Sequence, residues 1–160
     1  MLEFKDSDVF VKRAAVFTLM SAPITEITRE QFSFAESAVN NLPLAQMLGM
    51  KLTELRPDEA VFTMEMRDDL RQPSGVLHGG VTASLIDTAM AFAVRTRLDR
   101  KDATATIDLT IHYLRPVTEG IITCTAKLVR AGKRIFTVSA EVHNQEGKLI
   151  ATALSTYTRV

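Results

Sequence analysis

The sequence predicts an α+β fold in which one antiparallel sheet wraps a buried helix. Three observations predict it. Val81 to Val94 is a long, nearly continuous apolar segment without strand alternation, and it reads as a helix buried on most sides. Segments that alternate apolar and polar residues stand on both sides of it. Ala131-Gly132 and Glu146-Gly147 punctuate the later segments as hairpin turns do.

Taken in order, the chain opens with a helical texture. Val9, Phe10, Ala14, Phe17 and Met20 recur at helical spacing until Pro23 interrupts them. A second helix should begin near Thr28, with Glu30 and Gln31 in its first turn. Leu42 to Leu48 suits one more short helix, stopped by Gly49. Residues 1–41 are therefore expected to form a helical extension, and 42–160 the main domain.

The texture changes at Met50. Lys51 to Leu55 reads as a strand and Pro57-Asp58 as a turn. Ala60, Phe62, Met64 and Met66 alternate with Val61, Thr63, Glu65 and Arg67, which describes a half-buried strand. Asp68 to Leu77, with Pro73, Ser74 and Gly75, reads as a loop leading to the helix. After the helix, Ala105, Ile107, Leu109, Ile111 and Tyr113 alternate with Thr106, Asp108, Thr110 and His112. Ile121–Val129, Ile135–Val142 and Leu149–Thr158 complete the set of strands.

A chain of 160 residues, 46% hydrophobic and 24% charged, has the make-up of one globular domain with a real core. Its 19 basic and 19 acidic residues cancel, which argues against nucleic acid or an anionic membrane as the main partner. No apolar run approaches the ~18 residues of a membrane span. Lys12 to Ala22 bears a faint likeness to a secretion signal, but its apolar stretch is short and acidic Glu3, Asp6 and Asp8 precede it, so secretion is not expected. Cys124 stands alone, so an intrachain disulfide is excluded, and a cytoplasmic location is expected.

Two features of the helix carry chemistry. Asp87 sits among Leu85, Ile86, Ala89 and Met90, where an unpaired carboxylate is costly. It is either a reacting group or a structural one bonded to a neighbouring element. The small residues Ala83, Ser84, Thr88 and Ala91 beside it leave room for a ligand or a second chain. His78-Gly79-Gly80 opens the helix, where the first amides lack intrahelical partners and glycine permits close approach. A developing oxyanion or a plain tight turn both suit that position. Eight residues separate Gly79 from Asp87, roughly 12 Å along a helix axis. One carbonyl cannot touch both groups of one helix, so joint action requires a second subunit.

Other chemistries lack their motifs. His78, His112 and His143 have no metal-ligand spacing with Cys124 or a carboxylate pair, and no cofactor fingerprint is present. Cys124, in Ile122-Thr123-Cys124-Thr125-Ala126, reads as a buried strand residue rather than a nucleophile. Arg115, Arg130, Lys133 and Arg134 fall at strand ends or hairpins, as solvated turns or as a patch for phosphates.

Leu77-His78-Gly79-Gly80-Val81-Thr82-Ala83-Ser84-Leu85-Ile86-Asp87-Thr88-Ala89 resembles the helix motif of hot dog-fold thioesterases, closest to the phenylacetate-degradation group. Ile107 to Pro116, with its Tyr113-x-x-Pro116 ending, is similar to a strand of the same family. The resemblance covers Leu42 to the C-terminus; the preceding segment exceeds the minimal family domain. It implies hydrolysis of acyl-CoA without metal or cofactor, in a homodimer or homotetramer. It further implies that the Gly79 N–H polarises the thioester carbonyl and that Asp87 of the opposing subunit serves as nucleophile or general base. Gln72 and Thr106 would help orient substrate or water. His78 and Gly80 would line the substrate beside the basic residues.

Two other readings share this fold. A hydratase or dehydratase would pair histidine with a carboxylate in a different motif, which the sequence lacks. A non-catalytic acyl-CoA-binding protein would keep the pocket without the carboxylate, and Asp87 stands against it.

Overall fold

A computed structural model of the chain describes residues 25–160. The helix expected from Val9 to Met20 lies outside the described residues. Helix α1 (Arg29–Asn40) starts at Thr28, whose side chain accepts from the Gln31 N–H while the Gln31 side chain accepts from the Thr28 N–H. This reciprocal cap satisfies two end amides and fixes where the helix begins. Helix α2 (Pro43–Leu48) ends at Gly49, whose φ of 72° is the left-handed geometry that glycine adopts without penalty.

Strands β1 (Lys51–Arg56) and β2 (Glu59–Glu65) form a hairpin, followed by helix α3 (Gly79–Arg95). Strands β3 (Thr104–Tyr113), β4 (Ile121–Ala131), β5 (Ile135–Asn144) and β6 (Leu149–Arg159) complete one antiparallel sheet in the order β1-β2-β4-β5-β6-β3. β1 and β3 are its edges. The loop before α3 contains one short 3-10 turn, Asp68–Leu70, within the span expected to be irregular.

The sheet wraps α3. Leu85, Ile86, Ala89, Met90 and Ala93 are fully buried against Phe62, Ile122, Cys124, Phe136, Val138 and Val142. Each large apolar side chain so buried contributes about 1.5–3 kcal/mol. Phe92 meets Phe62 edge to face, with ring centroids 5.3 Å apart. Val39 of α1 is also buried and joins this core. Both ends of α3 are pinned. The Leu77 N–H bonds Val117 O at 2.8 Å and the His78 N–H bonds Leu70 O at 2.9 Å, which sets where the helix enters. At the far end the Asp58 N–H bonds Thr96 Oγ1 at 3.1 Å, and Arg97 pairs with the Asp58 carboxylate.

β3 departs from the simple alternation. Pairing with β6 slips between Thr106 and Asp108, so Ile107 is an extra, bulged residue and is 56% exposed. A regular strand would put Thr106 and Leu109 on opposite faces. The bulge changes parity between them. Leu109 and Ile111 pack on the core while Thr106 reaches Asp87. Ile107 is therefore not in one apolar row with Leu109 and Ile111, as the alternation suggested.

Candidate active site

The site is built on α3 and the two strands beside it. His78 caps the helix: its Nδ1 accepts from the Gly80 N–H at 2.9 Å, so that ring nitrogen carries no proton. Among the described residues, none accepts from the Gly79 N–H. Of the two glycine amides, His78 occupies one and leaves the other open at the positive end of the helix. Tyr113 packs over Gly79 and donates to its carbonyl oxygen at 2.9 Å. A groove of about 440 Å³ opens here, lined by Gln72, His78, Gly79, Tyr113 and Arg115 among others. Within it, the Gln72 side chain bonds Ser74 of its own turn. Arg115 bonds the Leu149 carbonyl at 2.6 Å.

Two turns along the helix, Asp87 is half-buried and tied to the sheet. Thr106 Oγ1 donates to Asp87 Oδ1 at 2.9 Å, and the Tyr157 hydroxyl donates to the same oxygen at 2.6 Å. Thr106 and Tyr157 are register partners across β3 and β6, so both donors come from one rung of the sheet. Among the described residues, none donates to Asp87 Oδ2. Burial, and after it the Asp87 carboxylate, push the Tyr157 phenol well above its ordinary pKa, so it remains a donor.

The structure thus gathers Gln72, His78, Gly79, Gly80 and Arg115 at one end of α3, and Asp87 with Thr106 further along it. Arg130, Lys133 and Arg134 are exposed on the β4–β5 hairpin, away from that groove within one chain. Cys124 is buried on β4, and burial pushes its thiol up to about 12, which keeps it protonated and unreactive. Tyr157 had no signal in the sequence, since an aromatic residue on an alternating strand looks like any core residue. A separate cavity of about 370 Å³ lies between α1 and the C-terminal end of α3, walled by Phe34, Phe92, Leu98 and Arg100 among others. No described helix is long and apolar enough to cross a membrane.

One antiparallel sheet curled round one long helix is the hot dog arrangement. Residues 74–151 match the family model of the thioesterase superfamily. The medium/long-chain acyl-CoA thioesterase YigI of Escherichia coli is 31% identical over 140 residues, spanning 76% of this chain and 88% of the relative. A thioesterase from Haemophilus influenzae superposes with a TM-score of 0.74 at 26% identity, over 84% of this chain and 91% of its own. The PaaI protein of the E. coli phenylacetic acid degradation operon gives 0.75 at 28% identity, over 81% and 92%. The chain belongs to the thioesterase superfamily and is a thioester hydrolase.

Proposed function

We propose that the protein hydrolyses acyl-CoA thioesters to free acid and coenzyme A at a site shared between two subunits. The observation that carries this reading is the placement of two half-sites at opposite ends of one exposed edge strand. Gly79 is tied to Tyr113 near the end of β3, and Asp87 is tied to Thr106 near its start. An unpaired edge is a template for a second strand. Ile107, Tyr113 and Leu114 add exposed apolar surface along it, at 56%, 53% and 49% exposure.

Antiparallel pairing of β3 with its copy, about a two-fold axis near the middle of the strand, brings the Tyr113 end of one chain alongside the Thr106 end of the other. Gly79 of one subunit then faces Asp87 of the opposing subunit. The Gly79 N–H stabilises the oxyanion that forms on the thioester carbonyl. Asp87 either takes a proton from the attacking water, or attacks the acyl carbon itself to give a mixed anhydride that water then hydrolyses to the free acid and a regenerated carboxylate. The C–S bond breaks, and coenzyme A leaves as its thiol after protonation. Gln72 turns toward substrate or water from the groove.

The names of the relatives support acyl-CoA as the substrate class. Arg115 in the groove suits a phosphate of the coenzyme. The Arg159 N–H bonds Arg134 O, and Arg159 pairs with Thr104 at the start of β3. The same two-fold therefore carries the hairpin bearing Arg130, Lys133 and Arg134 toward the groove of the opposing subunit.

The test is thiol release by purified protein across short, medium, long and aromatic acyl-CoAs, without added metal and with chelator. Turnover of at least one, unaffected by chelator, is expected. Asp87→Asn should keep the fold and lose ~10²-fold or more of that turnover. No release across the panel overturns the proposal, and near-normal turnover in the variant returns Asp87 to a structural role.

A further inference from the structure

Asp87 has two oxygens, and the protein treats them differently. Both side-chain donors, Thr106 and Tyr157, go to Oδ1, at 2.9 and 2.6 Å, and the Tyr157 hydroxyl also lies 2.9 Å from the Asp87 backbone carbonyl oxygen, the longer of its two contacts. A carboxylate oxygen offers two lone-pair directions, and two short bonds use both. Oδ2 has no donor among the described residues, and half-exposure leaves room for it to face a ligand. Thr106 is exposed, whereas Tyr157 is 1% exposed and its ring is wedged in the core beside its register partner Phe136. The packing of the sheet therefore fixes the phenol oxygen, and the phenol oxygen fixes the carboxylate.

We propose that Tyr157 is a positioning residue for Asp87, holding Oδ1 so that Oδ2 is the oxygen presented to the substrate. The inference rests on Asp87 being the reacting carboxylate. A free carboxylate turns about its Cβ–Cγ bond, and two anchors on one oxygen stop that rotation. Pre-set geometry of this kind lowers the barrier without new contacts to substrate. Whether Oδ2 takes a proton from water or bonds the acyl carbon, Oδ1 keeps both donors throughout.

Tyr157→Phe removes only the hydroxyl and leaves the buried ring. Its kcat and KM are read by thiol release on an acyl-CoA that the wild type turns over. A hydrogen bond to a charged group predicts a fall in kcat of ~10-fold to ~100-fold, with KM within about twofold because the phenol does not touch substrate. A positioning role also predicts non-additivity. In an Asp87→Asn background, Tyr157→Phe should change the residual rate by less than about twofold. Unchanged kcat, or the same fold-loss in both backgrounds, overturns the proposal. Should Tyr157→Phe fail to fold, proton NMR of wild type and Asp87→Asn decides. A slowly exchanging Tyr157 hydroxyl proton that moves upfield in the variant supports the contact, and an unmoved one refutes it. Wild-type protein that releases no thiol refutes the thioesterase reading instead. The hydroxyl resonance then still settles whether Tyr157 holds Asp87.

Discussion

Two inactive variants should restore one another if each site draws on two chains. The first is Asp87→Asn, which keeps the shape of the side chain and discards the charge. The second is Gly79→Pro, which deletes the open N–H. The local geometry favours that proline. Gly79 is the first residue of α3, where proline is well tolerated. A proline also needs an extended residue before it, and His78 already has φ −65° and ψ 130°. A Cβ at position 79 meets the Tyr113 ring at 3.4 Å, an ordinary contact. Loss of one oxyanion donor should cost ~10²–10³-fold in kcat, and loss of the carboxylate ~10²-fold or more. In a mixed dimer, one site carries both defects and the other carries neither. Random mixing makes about half the dimers mixed, so about a quarter of wild-type turnover should return in the unfractionated mixture and about half in isolated mixed dimers. The variants are co-expressed with different tags, mixed dimers are isolated on both tags, and thiol release is measured. Mixed dimers that stay at the level of their parents refute the shared site, even if the protein is a thioesterase.

Deleting Ile107 leaves Thr106 two positions from Leu109, so β3 should pair regularly with β6 and keep Thr106 on the inner face opposite Tyr157. Turnover should then stay well above that of Thr106→Ala, and a deletion variant as slow as Thr106→Ala would show that the bulge itself is needed to place Thr106 against Asp87. Cys124, its thiol pushed up to about 12 by burial, should not react with a thiol reagent in native protein between pH 7 and pH 9. The sign follows from burial disfavouring the thiolate. Denaturant should release one equivalent, and fast native labelling would contradict the packing of β4.

Much of the architecture was legible because it depends on local chemistry. Thr28 and Gln31 announce a cap, Gly49 announces a stop, and Val81 to Val94 can only be a buried helix. Gly79 and Asp87 stood out for the same reason: each is an awkward residue type for its place on a helix. The β3 bulge was not legible. Its apolar residues alternate without a break, and only the conflict between Thr106 facing Asp87 and Leu109 facing the core forces the extra residue. Tyr157 was hidden because its ring satisfies the strand pattern, while its hydroxyl finds a partner 70 residues away in sequence. Arg130, Lys133 and Arg134 look like one group with Arg115 in sequence, yet one chain holds them apart.

The peptide unit joining Gly79 to Gly80 is gripped at both ends. Its carbonyl oxygen takes the Tyr113 hydroxyl, and its N–H is held by the His78 ring. Two successive glycines, with no Cβ on either side, form the linkage in a chain freest to rotate its amide plane by half a turn. Such a flip would turn the Gly79 carbonyl oxygen toward the His78 ring at the helix entrance, beside the open Gly79 N–H, and would weaken the positive end of the helix there. The glycines give a substrate close access to the backbone, and the two aromatic side chains remove the rotational freedom that comes with it. The helix entrance is thus slender without being loose.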